Sequence, residues 1–266
     1  MAFLISAIPA FNDNYIWMLH APDKKGTCVV DPGEAKPVLQ ALEEKDLVLE
    51  AILVTHHHAD HTGGINALLQ TYPDIPVYGP ESAHISCISN TLRCHESLEL
   101  LGHRVEVIAV PGHTLDHLAY FLPSSEPGQE NALFCGDTLF AGGCGRIFEG
   151  TPKMMLNSLK MLANLPEGTL IYCAHEYTLA NLIFANEVEP GNIDLTNRMD
   201  AVKALRAAGQ TTLPSTIALE LRTNPFLRCH KLEITAKMSE YYGDLAIANE
   251  LDTFTKLRAW KDVFKA

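Results

Sequence analysis

The 266 residues contain no C-x-x-C pair and no apolar run near the ~18 residues that span a bilayer, and positive charge is scarce: 20 Lys and Arg against 32 Asp and Glu. Each shortage excludes something. The seven cysteines (28, 87, 94, 135, 144, 173 and 229) are odd in number, and several lie in apolar runs, such as Cys28 before Val29-Val30 and Cys135 after Leu133-Phe134. They read as buried free thiols in a reducing cytoplasm, not as a disulfide framework. Without a long apolar run no membrane span is expected, and residues 1–10, apolar but without a basic leader, read as a strand and not as a signal peptide. A net charge of -12 disfavours a nucleic-acid partner, which would need a basic face,. No internal repeat and no long linker is visible.

What is abundant is histidine, and it is concentrated. Thr55-His56-His57-His58-Ala59-Asp60-His61 has the spacing H-x-H-x-D-H. It follows the apolar run Ala51-Ile52-Leu53-Val54, which reads as a buried strand, and precedes Gly63-Gly64 and a helix near 65–72. The donors therefore sit on a loop between strand and helix. Neutral imidazoles suit zinc and neighbouring transition metals, and a carboxylate adds charge. Four donors within six residues are too many for one open catalytic ion with further ligands to come, which points to two metals sharing the loop.

Along the chain, 3–8, 15–20 and 27–30 read as strands with turns at Asn12-Asp13-Asn14 and at 23–26. A helix is expected over 34–44, a short strand at 77–78, and an irregular stretch over 81–100. Strands follow at 104–110, 118–122 and 132–135, with a polar loop over 124–131. Thr151-Pro152 is a helix start, and 169–173 reads as a last strand. His56, His113, Asp137 and His175 each lie just past a strand, so one sheet edge can gather them. Strands outnumber helices, and hairpins mix with crossovers, which favours two mixed sheets packed together with helices outside. Beyond about residue 178 helical patterns dominate, over 196–208 with Gly209 as a stop, 232–242 and 246–264.

The candidate metal set is therefore His56, His58, Asp60, His61, His113, Asp137 and His175. One carboxylate can bridge two divalent ions, and a pair of ions about 3.5–4 Å apart can generate a nucleophile from water and stabilise the opposing oxygen. No side-chain nucleophile is required.

The ordered motifs T-H-H-H-A-D-H, P-G-H-T, G-D-T-L-F and A-H-E-Y-T resemble those of the metallo-β-lactamase superfamily. Within it the chain is similar to the glyoxalase II (hydroxyacylglutathione hydrolase) family. Ile8-Pro9-Ala10-Phe11-Asn12-Asp13-Asn14-Tyr15, Gly142-Gly143-Cys144-Gly145-Arg146, His175-Glu176-Tyr177-Thr178 and the C-terminal Arg258-Ala259-Trp260-Lys261-Asp262-Val263-Phe264 carry that closer likeness. The resemblance implies an α/β fold, an αββα sandwich over 1–178 followed by a small helical glutathione-binding domain over 179–266. It implies one metal on His56, His58 and His113, a second on Asp60, His61 and His175, and Asp137 bridging, with zinc favoured and iron or manganese as alternatives. The implied reaction is hydrolysis of S-D-lactoylglutathione to D-lactate and glutathione, the second step of methylglyoxal detoxification. A bridging hydroxide attacks the thioester carbonyl, Asp60 and Asp137 serve the catalytic metals, and preorganised positive charge takes the oxyanion. Arg146, Tyr177, Arg258 and Lys261 are the implied glutathione contacts, the last two sharing a helix face by their spacing of three. The partner expected is the small thioester alone, with no nucleic acid, no membrane, a monomeric chain and a cytoplasmic location.

The chain departs from the family pattern at two points. Phe148 stands where some members carry a tyrosine that reaches substrate, and Asp116 where relatives often have glycine. Asp116 is expected on a surface turn, with support of a histidine as the alternative. His57 is not expected to be a ligand, and His117 is a candidate to hold one from behind. His20, His84, His95, His103 and His230 receive no role, and Arg222 and Arg228 are read as structural. Rival readings are a one-iron persulfide dioxygenase, a lactonase, a nuclease of the same fold, and a non-catalytic metal-binding protein. The C-terminal helices, Arg258 with Lys261, the acidic balance and the complete donor set argue against them in turn.

Overall fold

The computed structural model describes residues 4–124, 129–243 and 247–265. The strand start expected at residue 3, the middle of the 124–131 loop and the helix start expected at 246 lie outside them. In the first sheet, β1 (Leu4–Ala10), β2 (Asn14–His20) and β3 (Gly26–Val30) form an antiparallel meander. α1 (Ala35–Lys45) leads to β4 (Val48–Leu53), and the sheet continues in parallel. Next come the one-turn α2 (Ala59–Thr62), α3 (Ile65–Thr71), β5 (Val77–Pro80) and β6 (Asn90–Leu92). Alternation along each strand sorts side chains to two faces. Trp17, Leu19, Cys28, Val30, Ala51 and Leu53 enter the core between the sheets. Ile16, Met18, Val29 and Ile52 face the other way and are covered by Val38 and Leu42 of α1 and Ile65 and Leu68 of α3.

The second sheet contains β7 (Ser97–Leu100), β8 (His103–Ala109), β9 (Leu118–Leu122) and β10 (Ala132–Gly136), all antiparallel neighbours. A two-stranded hairpin, β11 (Leu139–Phe140) with β12 (Gly143–Cys144), precedes α4 (Pro152–Ala163). Thr151 caps α4 by accepting the Met154 N–H at 3.2 Å,. β13 (Leu170–Cys173) then pairs parallel with β10.

The remainder is α5 (Thr178–Val188), α6 (Ile193–Ala207), β14 (Ser215–Thr216), α7 (Ile217–Thr223), α8 (Leu232–Tyr242) and α9 (Glu250–Val263). Gly209 and Gly243 end α6 and α8 with φ near 69°, where a side chain would be strained,. β14 adds an antiparallel edge to β13, so 169–173 is not the last strand. Phe184, Phe226, Phe254 and Trp260 of this helical part belong to the same buried cluster as the inter-sheet core.

Other differences have local causes. The stretch 81–100, expected to be irregular, contains β6 and β7. Both are short: β6 spans Asn90–Leu92, and in β7 only Leu98 and Leu100 alternate with Ser97 and Glu99, too brief a pattern to stand out. Asp60 and His61, expected on a loop, open the helical turn α2. The two sheets are stitched at one edge: the Tyr15 N–H donates to Ala174 O at 2.7 Å, Trp17 Nε1 to Cys173 O at 3.0 Å, and the Leu118 N–H to Thr55 O at 2.8 Å. The residues just past β4, β8, β10 and β13 converge there.

Candidate metal centre

His56 and His58 lie two apart where the chain leaves β4, and both rings turn into the same site. His56 Nε2 is 3.1 Å from His58 Nδ1, and that nitrogen is 3.0 Å from His113 Nε2. Zn–N bonds of 2.0–2.1 Å in a tetrahedron imply donor separations of about 3.3 Å. Two edges of the triangle are thus within a few tenths of an ångström of that spacing, and all three donor atoms lie within 4.8 Å of one another. A second group forms beside it. Asp60 Oδ2 is 3.4 Å from His61 Nε2 and 3.4 Å from His175 Nε2. Asp137 faces both groups: Oδ1 is 3.4 Å from His61 Nε2 and 3.3 Å from His175 Nε2, while Oδ2 is 3.4 Å from His113 Nε2.

The donor set fits divalent cations on a second count. His61 Nε2 and Asp137 Oδ1 are buried and have no hydrogen-bond partner. Such atoms cost roughly 1–3 kcal/mol each when unsatisfied, and a cation coordinated there would satisfy both. The four Nε2-facing rings are also held from behind. His56 Nδ1 lies 3.0 Å from Thr55 Oγ1, His61 Nδ1 3.0 Å from Asp31 Oδ2, His113 Nδ1 2.7 Å from Arg146 O, and His175 Nδ1 2.9 Å from Asp13 Oδ1. An acceptor at Nδ1 places the proton there and leaves Nε2 free to coordinate.

The sequence marks Asp31 and Asp13 only as residues of turns. Asp31 also accepts the Thr55 N–H at 2.7 Å and the Thr55 hydroxyl at 2.8 Å, tying the end of β3 to the start of the histidine loop. The only sequence trace of this is an acidic residue directly after an apolar strand. Gly33 is fixed by the same packing, since a Cβ there would lie 1.9 Å from Asp60 O. His117, the candidate for holding a ligand from behind, accepts the Asp137 backbone N–H at 3.1 Å and stacks on His56 at 4.6 Å.

Burial, and then the neighbouring His61 and His117, push the His56 imidazole well below its usual range. Burial lowers His58 and His113 as well. His61 and His175 go the other way. Burial alone would lower them, but Asp137 with Asp31 overcomes it at His61, and Asp137 with Asp60 raises His175 to about 10. Asp137 and Asp60 stay ionised far below the usual carboxylate range, because His61 and His175 outweigh the burial that would raise them. The two carboxylates therefore draw positive charge into the site, and a divalent cation would compete with protons for the same nitrogens.

A cavity of about 420 Å³ opens from this centre and runs to the last helix; it is lined by His113, Asp137, Arg146, Tyr177, Arg258 and Lys261 among others. All four sequence-expected substrate residues thus share one space with two of the candidate metal donors, His113 and Asp137. Arg258 is buried, donates to Cys144 O at 2.8 Å, and lies 3.1 Å from Asp262 Oδ1. Asp262 Oδ1 is also 3.2 Å from Arg146 Nε. Tyr177 stacks on His175 at 4.6 Å, and burial with the nearby carboxylates holds its phenol protonated. Lys261 has its ammonium 5.2 Å from the Phe184 ring centre. Phe148 is exposed at the mouth, with its ring 5.5 Å from His58 and 5.2 Å from His113. A larger groove, about 700 Å³, lies by Glu189, Arg228 and Lys237 on the helical part, and none of the seven metal donors lines it.

His57 points away from the donor triangle, as expected of a residue between two inward ones. Asp116 is not on a free surface turn: its carboxylate lies 3.0 Å from His57 Nδ1. Arg228 pairs with Glu189, in keeping with its structural reading.

Comparison with known proteins bears on the family and the fold. The family model described as hydroxyacylglutathione hydrolase C-terminus matches residues 176–264, and that of the metallo-beta-lactamase superfamily matches 11–87 and 92–175. A hydroxyacylglutathione hydrolase of Photobacterium profundum is 49% identical over 261 residues, covering 98% of this chain and 99% of its own. Among solved structures, ETHE1 from Myxococcus xanthus superposes with a TM-score of 0.63 at 24% identity, covering 97% of this chain and 99% of that one. TTHA1623 in a di-iron-bound form gives 0.57 at 24% identity, covering 84% of this chain and all of that one (100%).

Proposed function

The chain belongs to the hydroxyacylglutathione hydrolase family of the metallo-beta-lactamase superfamily, and from that premise we propose that it hydrolyses S-D-lactoylglutathione and related S-2-hydroxyacylglutathiones to the hydroxy acid and glutathione. The observation that carries this reading is the cavity in which His113 and Asp137, the carboxylate that faces both donor groups, meet the cations of the last helix. A thioester needs its carbonyl at Lewis-acidic ions and its peptide carboxylates at cations, and the cavity offers both ends.

The donor set accommodates two divalent ions. His56, His58 and His113 would hold one, Asp60, His61 and His175 the other, and Asp137 would serve both. We assign zinc to both, with iron or manganese as alternatives that the same N/O donors accept. When bound, the two ions supply Lewis acidity and lower the pKa of the attacking water. The protein's own part is preorganisation. Asp13, Asp31 and Thr55 fix ring orientations, and His117 fixes the Asp137 backbone. Arg146, Arg258, Lys261 and the Tyr177 hydroxyl orient the glutathione moiety, with the guanidiniums and ammonium facing its carboxylates. The thiolate departs without a protein acid, as a good leaving group. The division of labour follows the chain: residues 1–178 carry the donors, and 179–266 contribute Arg258 and Lys261. We take the active chain to be a cytoplasmic monomer, with no nucleic acid or membrane as partner. Among the described residues no helix is long and apolar enough to cross a membrane.

The test is thiol release from S-D-lactoylglutathione by purified protein, with and without a chelator. Fast release that the chelator abolishes and added metal restores is expected. No release from a metal-loaded sample would reject the reading, and glutathione persulfide with oxygen, then lactones, would be tried next.

A further inference from the structure

His57 sits between two metal donors yet points out of the site, into a set of contacts that no catalytic step uses. Asp116 Oδ1 and Oδ2 lie 3.1 and 3.0 Å from His57 Nδ1, and Glu149 Oε1 lies 3.3 Å from His57 Nε2. Both ring nitrogens are therefore engaged, from opposite sides, by carboxylates on two other loops. Those carboxylates are themselves fixed. Asp116 Oδ1 accepts the Thr114 hydroxyl at 2.6 Å, and Glu149 Oε2 accepts the Leu115 N–H at 2.9 Å. The Phe148 and Glu149 N–H groups donate to His113 O at 3.2 and 3.3 Å.

These bonds connect the three loops that define the three-histidine group. The first carries His56 and His58 on either side of His57. The second carries His113, one residue before Thr114. The third carries Arg146, whose carbonyl orients His113 Nδ1, and then Phe148 and Glu149. The second donor group is held from elsewhere: His61 by Asp31, Asp60 by Asn14 and His175 by Asp13.

We propose that His57, clamped by Asp116 and Glu149, is a positioning residue that sets the His56–His58–His113 triangle and so the affinity of that one metal position. The proposal rests on the two-metal reading above. Asp116 and Glu149 act through His57 and touch neither substrate nor ion. Losing an outer partner of a metal ligand typically weakens binding by about 10–100-fold. Here the loss should fall mainly on one of two ions: the brace ties together the three loops that carry His56, His58 and His113, whereas Asp60 and His61, on the same histidine loop, are held separately by Asn14 and Asp31.

The test titrates zinc-loaded parent, His57→Ala, Asp116→Ala and Asp116→Asn against a competing chelator, and records thermal midpoints of the metal-free proteins. The parent should hold two equivalents. His57→Ala and Asp116→Ala should hold one equivalent about 10–100-fold more weakly and the other unchanged, with metal-free midpoints near the parent's. Asp116→Asn keeps an acceptor for the His57 N–H and should recover most of the affinity. In cobalt-loaded samples stripped of the weak ion, X-ray absorption should report fewer imidazoles per metal than in the parent, since the ion lost is the one with three. Both equivalents held as in the parent, or both weakened together with a fall in the midpoint, would overturn the proposal. A parent that binds fewer than two equivalents would remove the two-metal reading itself, and the proposal with it.

Discussion

Asp137 Oδ1 lies 3.3 Å from His175 Nε2 because the strands that precede them are parallel neighbours. β10 and β13 run the same way, with Gly136 opposite Cys173, so both strands release their chains at the same edge. The next residues of each meet there without any loop long enough to blur the geometry. His61 and His113 reach the same carboxylate from the first sheet's histidine loop and from the turn after β8. One side chain thus touches three elements of the site.

The first prediction is that Asp137→Ala removes activity. The substitution takes away the one group that faces both donor sets, so kcat should fall by more than the roughly 10–100-fold that follows loss of an outer partner, and bound metal should drop below two equivalents. Elemental analysis beside the thiol-release assay measures both. Unchanged turnover with two metals still bound would sink the bridging role.

A second prediction concerns Lys261. Burial first, and then the adjacent Arg258, lowers its ammonium to about 8. Below that pH the side chain is a cation that can meet a glutathione carboxylate, and above it the charge is lost. KM should therefore rise, and kcat/KM fall, as pH climbs through about 8, while kcat changes less. Lys261→Ala should raise KM at neutral pH and remove this limb of the profile. Lys261→Arg, with a guanidinium that does not titrate in this range, should move the fall to higher pH. A KM in Lys261→Ala equal to the parent's would refute the assignment.

The convergence of the candidate donors is legible in the sequence because H-x-H-x-D-H places four of them within six residues and the other three each follow a strand. Their supports are not. Asp13 and Asp31 sit in turns, where an aspartate is unremarkable by composition, and only the fold shows their oxygens against His175 and His61. Asp116 looks like a free turn residue for the same reason, since its partner His57 is 59 residues away. The strands β6 and β7 escape notice because they are too short for the alternation of Leu98 and Leu100 in β7 to stand out. α5 escapes because apolar residues occupy nearly its whole circumference and no single face marks its period,.

The last prediction tests how the helical part steadies the site. Arg198 and Glu220 form a buried ion pair, and Arg198 also donates to Ser215 Oγ at 3.0 Å. Glu220 Oε2 accepts the Gly142 N–H at 2.8 Å, and Asn224 Nδ2 donates to Phe140 O at 3.2 Å and Gly143 O at 2.9 Å. This network grips the β11–β12 hairpin, which leads from Asp137 to Cys144, the residue whose carbonyl receives Arg258. Removing one partner of a buried pair typically costs about 3–5 kcal/mol, whereas replacing both with apolar groups is often neutral. Glu220→Ala should therefore lose about that much stability in denaturant titration, and Arg198→Met combined with Glu220→Leu should lose much less. If the pair serves only stability, the double variant should also recover kcat and KM. If the Gly142 contact matters for the site, the double variant should stay stable but show a raised KM, because the hairpin that presents Cys144 O to Arg258 has lost its acceptor. Equal stability of Glu220→Ala and the parent would show that water reaches the pair and that the network does not hold the hairpin.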